Sequence, residues 1–362
     1  MDGFRFDEGS ILTRGIDGKP MDYAPVLWWI ELSDILADTK IIAEPWDAAG
    51  LYQVGNFPGY RWAVWNGQYR DTIRGFVKGD GGIIGAVASR IAGSQDIFYE
   101  AGQRPINGIN FITCHDGFTL NDLVSYNEKH NLANGEDNRD GLNYNTSWNH
   151  GVEGETTDPA INALRARQIK NFYAILLLSQ GVPMLLAGDE VRHTQQGNNN
   201  AYCQDNPLTW FDWNLLESQS ELFHFVKAMI AFRKEYPGVR RERFFTGSTD
   251  RSGKEDIEWH GCRLLEPGWN DPNSHVLAFT IWSGEASADA DLHVMLNMDT
   301  AELDFEIPQP TRGRCWKKVI DTAQSAPGDI QIREQAPTIG DSHIGLPSHS
   351  VIVLASDPAA QA

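Results

Sequence analysis

Cysteine is scarce in this chain: Cys114, Cys203, Cys262 and Cys315 stand far apart, with no C-x-x-C pair. That spacing argues against a disulfide scaffold and a structural zinc site, and points to reduced thiols. Long hydrophobic runs are also missing. The best apolar stretch, Ala174 to Leu178, falls far short of the ~20 residues of a membrane span. Positive charge is the third shortage. Lys and Arg number 30 against 49 Asp and Glu, a formal charge of −19. Such a surface repels phosphate backbones and anionic lipid, so neither nucleic acid nor a membrane is an expected partner. No G-x-G-x-x-G or Walker motif supports nucleotide binding. No His/Cys/Asp cluster has ligand spacing either, so neither a metal nor an organic cofactor is expected.

What is present is an ordinary globular composition, 41% hydrophobic and 22% charged, with 12 Trp and 34 Gly. The chain is expected to begin inside a fold. Met1-Asp2-Gly3-Phe4-Arg5-Phe6-Asp7 shows neither signal peptide nor polar lead-in, and reads as a short strand ending in a carboxylate. Lys40 to Glu44 and Ile109 to Cys114, followed by His115-Asp116, repeat that theme. Helices are expected over Pro25–Ala37, Ile83–Ile91, and from an Asp158-Pro159 cap to Gly181. A strand follows over Val182–Ala187, then a last helix closing at Pro237-Gly238. The polar stretch from Asn127 to Thr157 is long enough to be either functional or poorly ordered.

Beyond Val239 the helical period vanishes, and short strands with turns suggest an all-β sandwich. The expected domains are therefore 1–239, strand–helix alternation with a parallel sheet, and 240–362, the β-domain. Parallel alternation admits a barrel or an open sheet, and both place a site at strand C-termini.

Three acids at three strand ends suit glycoside hydrolysis, which needs one ionised carboxylate and one that keeps its proton. Arg5 lies two residues before Asp7, on the same side of a strand, and would keep that acid charged. Glu44 follows apolar Ile41, Ile42 and Ala43 and adjoins Pro45-Trp46, a setting that raises a carboxyl pKa. Structural ion pairs or solvated strand-end acids are the plain alternatives. Trp46 is a candidate to line the substrate cleft. Trp28, Trp29, Trp62 and Trp65 are expected in the core, and packing is favoured over glucan binding for Trp259, Trp282 and Trp316.

At these residues the chain resembles a known family. Asp2-Gly3-Phe4-Arg5-Phe6-Asp7, Ala43-Glu44-Pro45-Trp46-Asp47 and Phe111-Ile112-Thr113-Cys114-His115-Asp116-Gly117 are similar to three of the four conserved blocks of the α-amylase superfamily, in the family's order. Ala48 to Gln53, Arg61 to Gly67, Gly188-Asp189-Glu190 and Gln195 to Tyr202 resemble its isoamylase and glycogen-debranching branch. The resemblance implies Asp7 as nucleophile, Glu44 as general acid/base and Asp116 as the third carboxylate. It also implies substrate-binding roles for Arg5 and His115, and a retaining cleavage of α-1,6 branch linkages in glycogen or a related α-glucan.

The implied fold is part of a (β/α)8 TIM barrel, about strands 4 to 8, followed by the β-sandwich. Three barrel strands and the family's first conserved block would lie upstream of Met1, so the chain alone is expected to be nearly inactive. An α-1,4-acting amylase or glucanotransferase and a non-catalytic glucan-binding subunit are the rivals. The expected address is cytoplasmic, or a plastid in a eukaryote. One departure from the family stands beside the nucleophile position, where Glu8 adds a further carboxylate that strand alternation would aim away.

Overall fold

The computed structural model describes residues 2–249, 253–283 and 289–358. Five short strands, β1 (Gly3–Phe6), β2 (Lys40–Ala43), β3 (Ala63–Trp65), β4 (Gly108–Asn110) and β5 (Val182–Pro183), make one sheet. They pair in the order β1-β2-β3-β4-β5, all parallel. Strand order that follows chain order is the arrangement of a barrel arc; a doubly wound sheet would reverse at a switch point. Among the described residues the arc is open, with β1 and β5 at its edges.

Local chemistry explains the helices between these strands. Helix Gly67–Lys78 starts where the Asn66 side chain accepts the Tyr69 N–H, and stops at Gly79, whose φ of +97° suits glycine. Helix Pro159–Leu178 starts as expected, with Asp158 accepting the N–H groups of Ala160 and Ile161. Two strands are shorter than the apolar runs suggested. β4 ends at Asn110 and β5 at Pro183, so Phe111–Cys114 and Met184–Ala187 continue as extended loop. The expected helix over Pro25–Ala37 is a helix Pro25–Glu31 followed by a 3-10 turn Asp34–Leu36.

The polar stretch after β4 is ordered by side-chain hydrogen bonds rather than by regular structure. Asn131 and Asn199 exchange two bonds of 2.9 and 3.0 Å, and Asn134 and Asp140 bind the neighbouring Asn198 and Asn200. Buried Arg165 donates to the carbonyls of Gly154, Asn149 and Val152, pinning the end of the stretch to the long helix. An amide-rich segment thus satisfies its own buried backbone.

The remaining strands are β6 (Ile257–His260), β7 (Val276–Ile281), β8 (Leu292–Asn297), β9 (Leu303–Glu306), β10 (Arg314–Asp321), β11 (Thr338–Ile339), β12 (His343–Leu346) and β13 (Ser350–Pro358). Six form an antiparallel sheet, β11-β10-β13-β8-β7-β6, and β12-β9 form a ribbon against it. Period-2 alternation sorts the large sheet's two faces. Ala278, Met295, Ile352 and Leu354 meet Phe305 and Leu346 of the ribbon. Leu277, Phe279, Val294 and Val353 belong instead to the core of Phe172, Phe225 and Met229, on helices Pro159–Leu178 and Ser220–Glu235. The sheet is covered on both faces, and the helices outside the barrel arc share one core with it.

Tryptophan placement corrects one expectation. Trp62 and Trp65 are buried, but Trp29 is 76% exposed on the outer side of helix Pro25–Glu31. Trp282 and Trp316 pack inside the sandwich as expected, while Trp259 is half-buried at its edge.

Candidate active site

Because the first sheet is parallel, the segments leaving β1, β2 and β4 emerge at one end of the arc. Asp7 follows β1 directly, Glu44 follows β2 directly, and His115 and Asp116 lie five and six residues beyond β4. Arg5, inside β1, links the first two: its Nη1 pairs with Oδ1 of Asp7, and its Nη2 lies 3.0 Å from Oε1 of Glu44. The structure brings the sequence-predicted residues together.

The three carboxylates sit in different surroundings. Glu44 is 3% exposed, whereas the side chains of Asp7 and Asp116 are 77% and 63% exposed. Burial raises the Glu44 pKa, and the negative charges of Asp7 and Asp116 add to that rise. The Glu8 N–H, 2.8 Å from Oε2, and the Arg5 cation oppose it without cancelling it. The site therefore holds one carboxyl that retains its proton to higher pH and two solvent-facing acids, a division of labour that acid–base chemistry uses.

Glu8, the departure beside Asp7, acts through its backbone. Its φ of 40° and ψ of 46° lie in the left-handed region, where the chain turns and presents the amide to Glu44. Strand alternation does not describe this residue, because the strand has already ended at Phe6.

Aromatic rings form the floor. The Arg5 guanidinium lies 4.3 Å from the Trp65 ring centroid, and His115 meets the same ring edge-on at 5.8 Å. His115 Nε2 is also 3.5 Å from Oδ2 of Asp116. Trp65, read from sequence as core alone, is core on one side and supports Arg5 and His115 on the other. Trp46 lies nearly parallel to Tyr52, at 6.1 Å and 8°, and is half-buried beside the acids.

A clamp that the sequence did not disclose fixes that loop. Arg14 donates to both carboxylate oxygens of Asp47, at 2.6 and 3.1 Å, and Asp47 also accepts the N–H groups of Ala49 and Leu51. The Arg14 hydrogen bond, together with those amides, lowers the Asp47 pKa to about 2. A bidentate pair of this kind orients as well as attracts. The Asp47 position, three residues after Glu44, was the available signal; Arg14, 33 residues earlier, carried none.

Asp189 takes an architectural place. It is buried, accepts from the Thr113 hydroxyl and the Leu120 N–H, and ties the loop after β5 to the segment after β4. Burial pushes its pKa up to about 7. Among the described residues, no three His, Cys, Asp or Glu side chains are gathered to hold a metal, and no helix is long and apolar enough to cross a membrane.

Comparison with known proteins places the chain in a family. Residues 257–355 match the family model "Isoamylase, C-terminal". The chain is 45% identical over 357 residues to "Isoamylase 3, chloroplastic" of Oryza sativa subsp. japonica, covering 98% of this chain and 44% of that protein. It is 48% identical over 261 residues to the "Glycogen debranching enzyme" of Serratia proteamaculans, covering 72% of this chain and 38% of that protein. In fold it resembles type I pullulanase of Bacillus subtilis, solved with maltose, at a TM-score of 0.68 and 21% identity; 98% of this chain and 43% of that one are covered. The chain spans half or less of the length of these relatives. On its conserved blocks, its C-terminal sheet and these similarities, the chain belongs to the isoamylase and glycogen-debranching branch of the α-amylase family.

Proposed function

We propose that this chain carries the catalytic carboxylates of a retaining glycoside hydrolase that cleaves α-1,6 branch linkages in glycogen or a related α-glucan. The observation that carries the reading is the bridging of Asp7 and Glu44 by one guanidinium. Arg5 holds the two carboxyls close, in keeping with the short separation, about 5 Å, of retaining enzymes. Asp7, paired with Arg5 and open to solvent, attacks the anomeric carbon. Glu44, its proton held by burial, protonates the departing glycosidic oxygen. It then takes a proton from the water that releases the covalent intermediate. Asp116 and His115 hold ring hydroxyls, and Trp46 lines the cleft. The relatives named isoamylase and glycogen debranching enzyme support branch cleavage over an α-1,4 specificity.

The division into 1–239 and 240–362 belongs to the same reading. It is supported by the helix ending at Glu235 and the antiparallel sheet beginning at Ile257. Low activity of the isolated chain belongs to the same reading, supported by the open edges of the sheet among the described residues. A plastid address is supported by the relative named chloroplastic, a cytoplasmic one is the alternative, and localising a tagged protein in its own cells decides between them. The activity test uses a protein of the relatives' length, made by fusing the N-terminal part of the rice relative to this chain. Release of linear chains from glycogen, lost in Asp7→Asn, is the expected result. Linkage analysis showing α-1,4 cleavage would favour the amylase reading, and turnover unchanged by Asp7→Asn would leave a binding role alone.

A further inference from the structure

The strands' other end carries a second concave surface. A cavity of about 700 Å³ opens where the segment leading into β4 meets the first strands of the sandwich. Tyr99, Gln103 and Arg104 line it from the barrel side and Trp259 from β6. A second cavity of about 320 Å³ continues from it toward Trp269, the two sharing Gln95 and Trp259. Since β4 begins here, this groove lies at the opposite end of the sheet from Glu44 and Asp116.

Its chemistry is specific. Trp259 and Trp269 meet edge to face at 5.9 Å, and Trp269 is 41% exposed, so aromatic surface is presented to the groove. Gln103 is 5% exposed. Its Nε2 donates to the Gly59 carbonyl at 3.3 Å, while its Oε1 is buried with no partner. An unpaired buried acceptor calls for a donor from the ligand. Of the lining charges, Glu255 offsets one of Arg104 and Arg243, and Asp96 is paired with Arg90, so no strong charge selects an ion. Flat apolar faces, a hydroxyl-seeking carbonyl and weak net charge suit a neutral sugar chain, and the combined size is that of a ligand pocket.

We propose that this groove is a second saccharide site, binding a linear α-glucan chain of a branched polymer while another branch point lies at the carboxylates. The sugar class rests on the debranching reading; the groove as a binding site rests on Gln103, Trp259 and Trp269. Trp259 stacks one sugar face, Trp269 flanks the next unit, and a hydroxyl donates to Gln103 Oε1.

The test is 19F NMR of the full chain labelled with 5-fluorotryptophan and titrated with maltoheptaose. Trp259 and Trp269 signals report the groove, and Trp46 and Trp65 signals report the cleft. Shifts in both sets are expected, with the groove Kd raised on the order of tenfold in Trp269→Ala, as for loss of one aromatic anchor. Trp269→Ala leaves the cleft shifts unchanged, and Gln103→Met weakens the groove alone. Shifts confined to Trp46 and Trp65 overturn the groove and leave the debranching reading standing. Shifts confined to Trp259 and Trp269 uphold the groove and count against the cleft. No shift in either set overturns both.

Discussion

Arg5 and Glu44 form an unequal pair. The guanidinium lies 3.0 Å from a carboxyl whose pKa burial nevertheless raises, and the same cation pairs with Asp7. One residue thus pairs with the exposed acid and limits how far the buried one climbs.

That sharing gives the first prediction. Arg5→Ala in the fused full-length protein removes a cation that favours ionised Glu44, so the Glu44 pKa rises further. The alkaline limb of the kcat/KM profile, where Glu44 loses its proton, then moves to higher pH. The maximal rate falls about 10²- to 10⁴-fold, because Asp7 loses its partner and both acids lose their alignment. A rate loss with an unmoved alkaline limb contradicts the pairing.

Glu8 supplies a backbone amide from a left-handed conformation that glycine adopts without strain. Glu8→Gly should therefore keep activity near wild type and be stability-neutral or stabilising by up to about 1 kcal/mol. Glu8→Pro removes the N–H and should lower activity sharply. Pre-steady-state rates and thermal melts of the two variants separate the backbone role from a side-chain one.

Arg14→Ala releases Asp47 and with it the loop bearing Trp46 and Tyr52. The expected signature is a higher KM for branched substrate with a smaller change in kcat, since Arg14 touches no carboxylate of the catalytic set. The pair also leaves a pH trace. The folded Asp47 pKa is depressed to about 2, so its contribution to stability is present above about 4 and lost as pH falls toward 2. Acid unfolding curves of wild type and Arg14→Ala should converge in that window.

The sandwich holds a buried relay. Leu265 N–H donates to His260 Nδ1, His260 Nε2 faces the Thr280 hydroxyl at 2.9 Å, and that hydroxyl faces His293 Nδ1 at 2.9 Å. The Leu265 amide fixes the neutral His260 ring as the Nε2–H tautomer, which donates to the Thr280 hydroxyl. Burial lowers the His260 pKa to about 4 and holds that of His293 well below the usual imidazole range. The unfolded chain binds these protons first, so their contribution is complete above about 6.5 and falls as pH drops toward 4. His260→Gln/His293→Gln should flatten the pH dependence of the melting temperature across that range, measured as the difference from wild type.

Much of the site was legible because the strand-end acids sit within a few residues of their strands. Asp7 and Glu44 needed only β1 and β2 to be parallel neighbours, and Arg5 needed only alternation within β1. Trp65 was half legible: an apolar strand residue reads as core, and sequence does not reveal that a core ring also carries a guanidinium. The Arg14–Asp47 clamp was invisible because its partners are brought together only by the crossover between β1 and β2. Strand lengths over 109–114 and 182–187 were overread, since an apolar run at a barrel's rim continues past the last ladder pair, as buried loop over 111–114 and as half-buried to exposed loop over 184–187. Trp29 was misplaced for a related reason: its neighbour Leu27 is the residue of that helix that turns inward.

The central claim is that Asp7 and Glu44 perform a double displacement at α-1,6 linkages. Time-resolved 1H NMR of the fused full-length protein acting on a branched maltooligosaccharide tests it most directly. The account predicts that the freed chain end appears first as the α-anomer, with loss of the α-1,6 signal, and that Asp7→Asn abolishes both. A β-anomer formed first, or an α-1,6 signal that persists while α-1,4 linkages disappear, would contradict it.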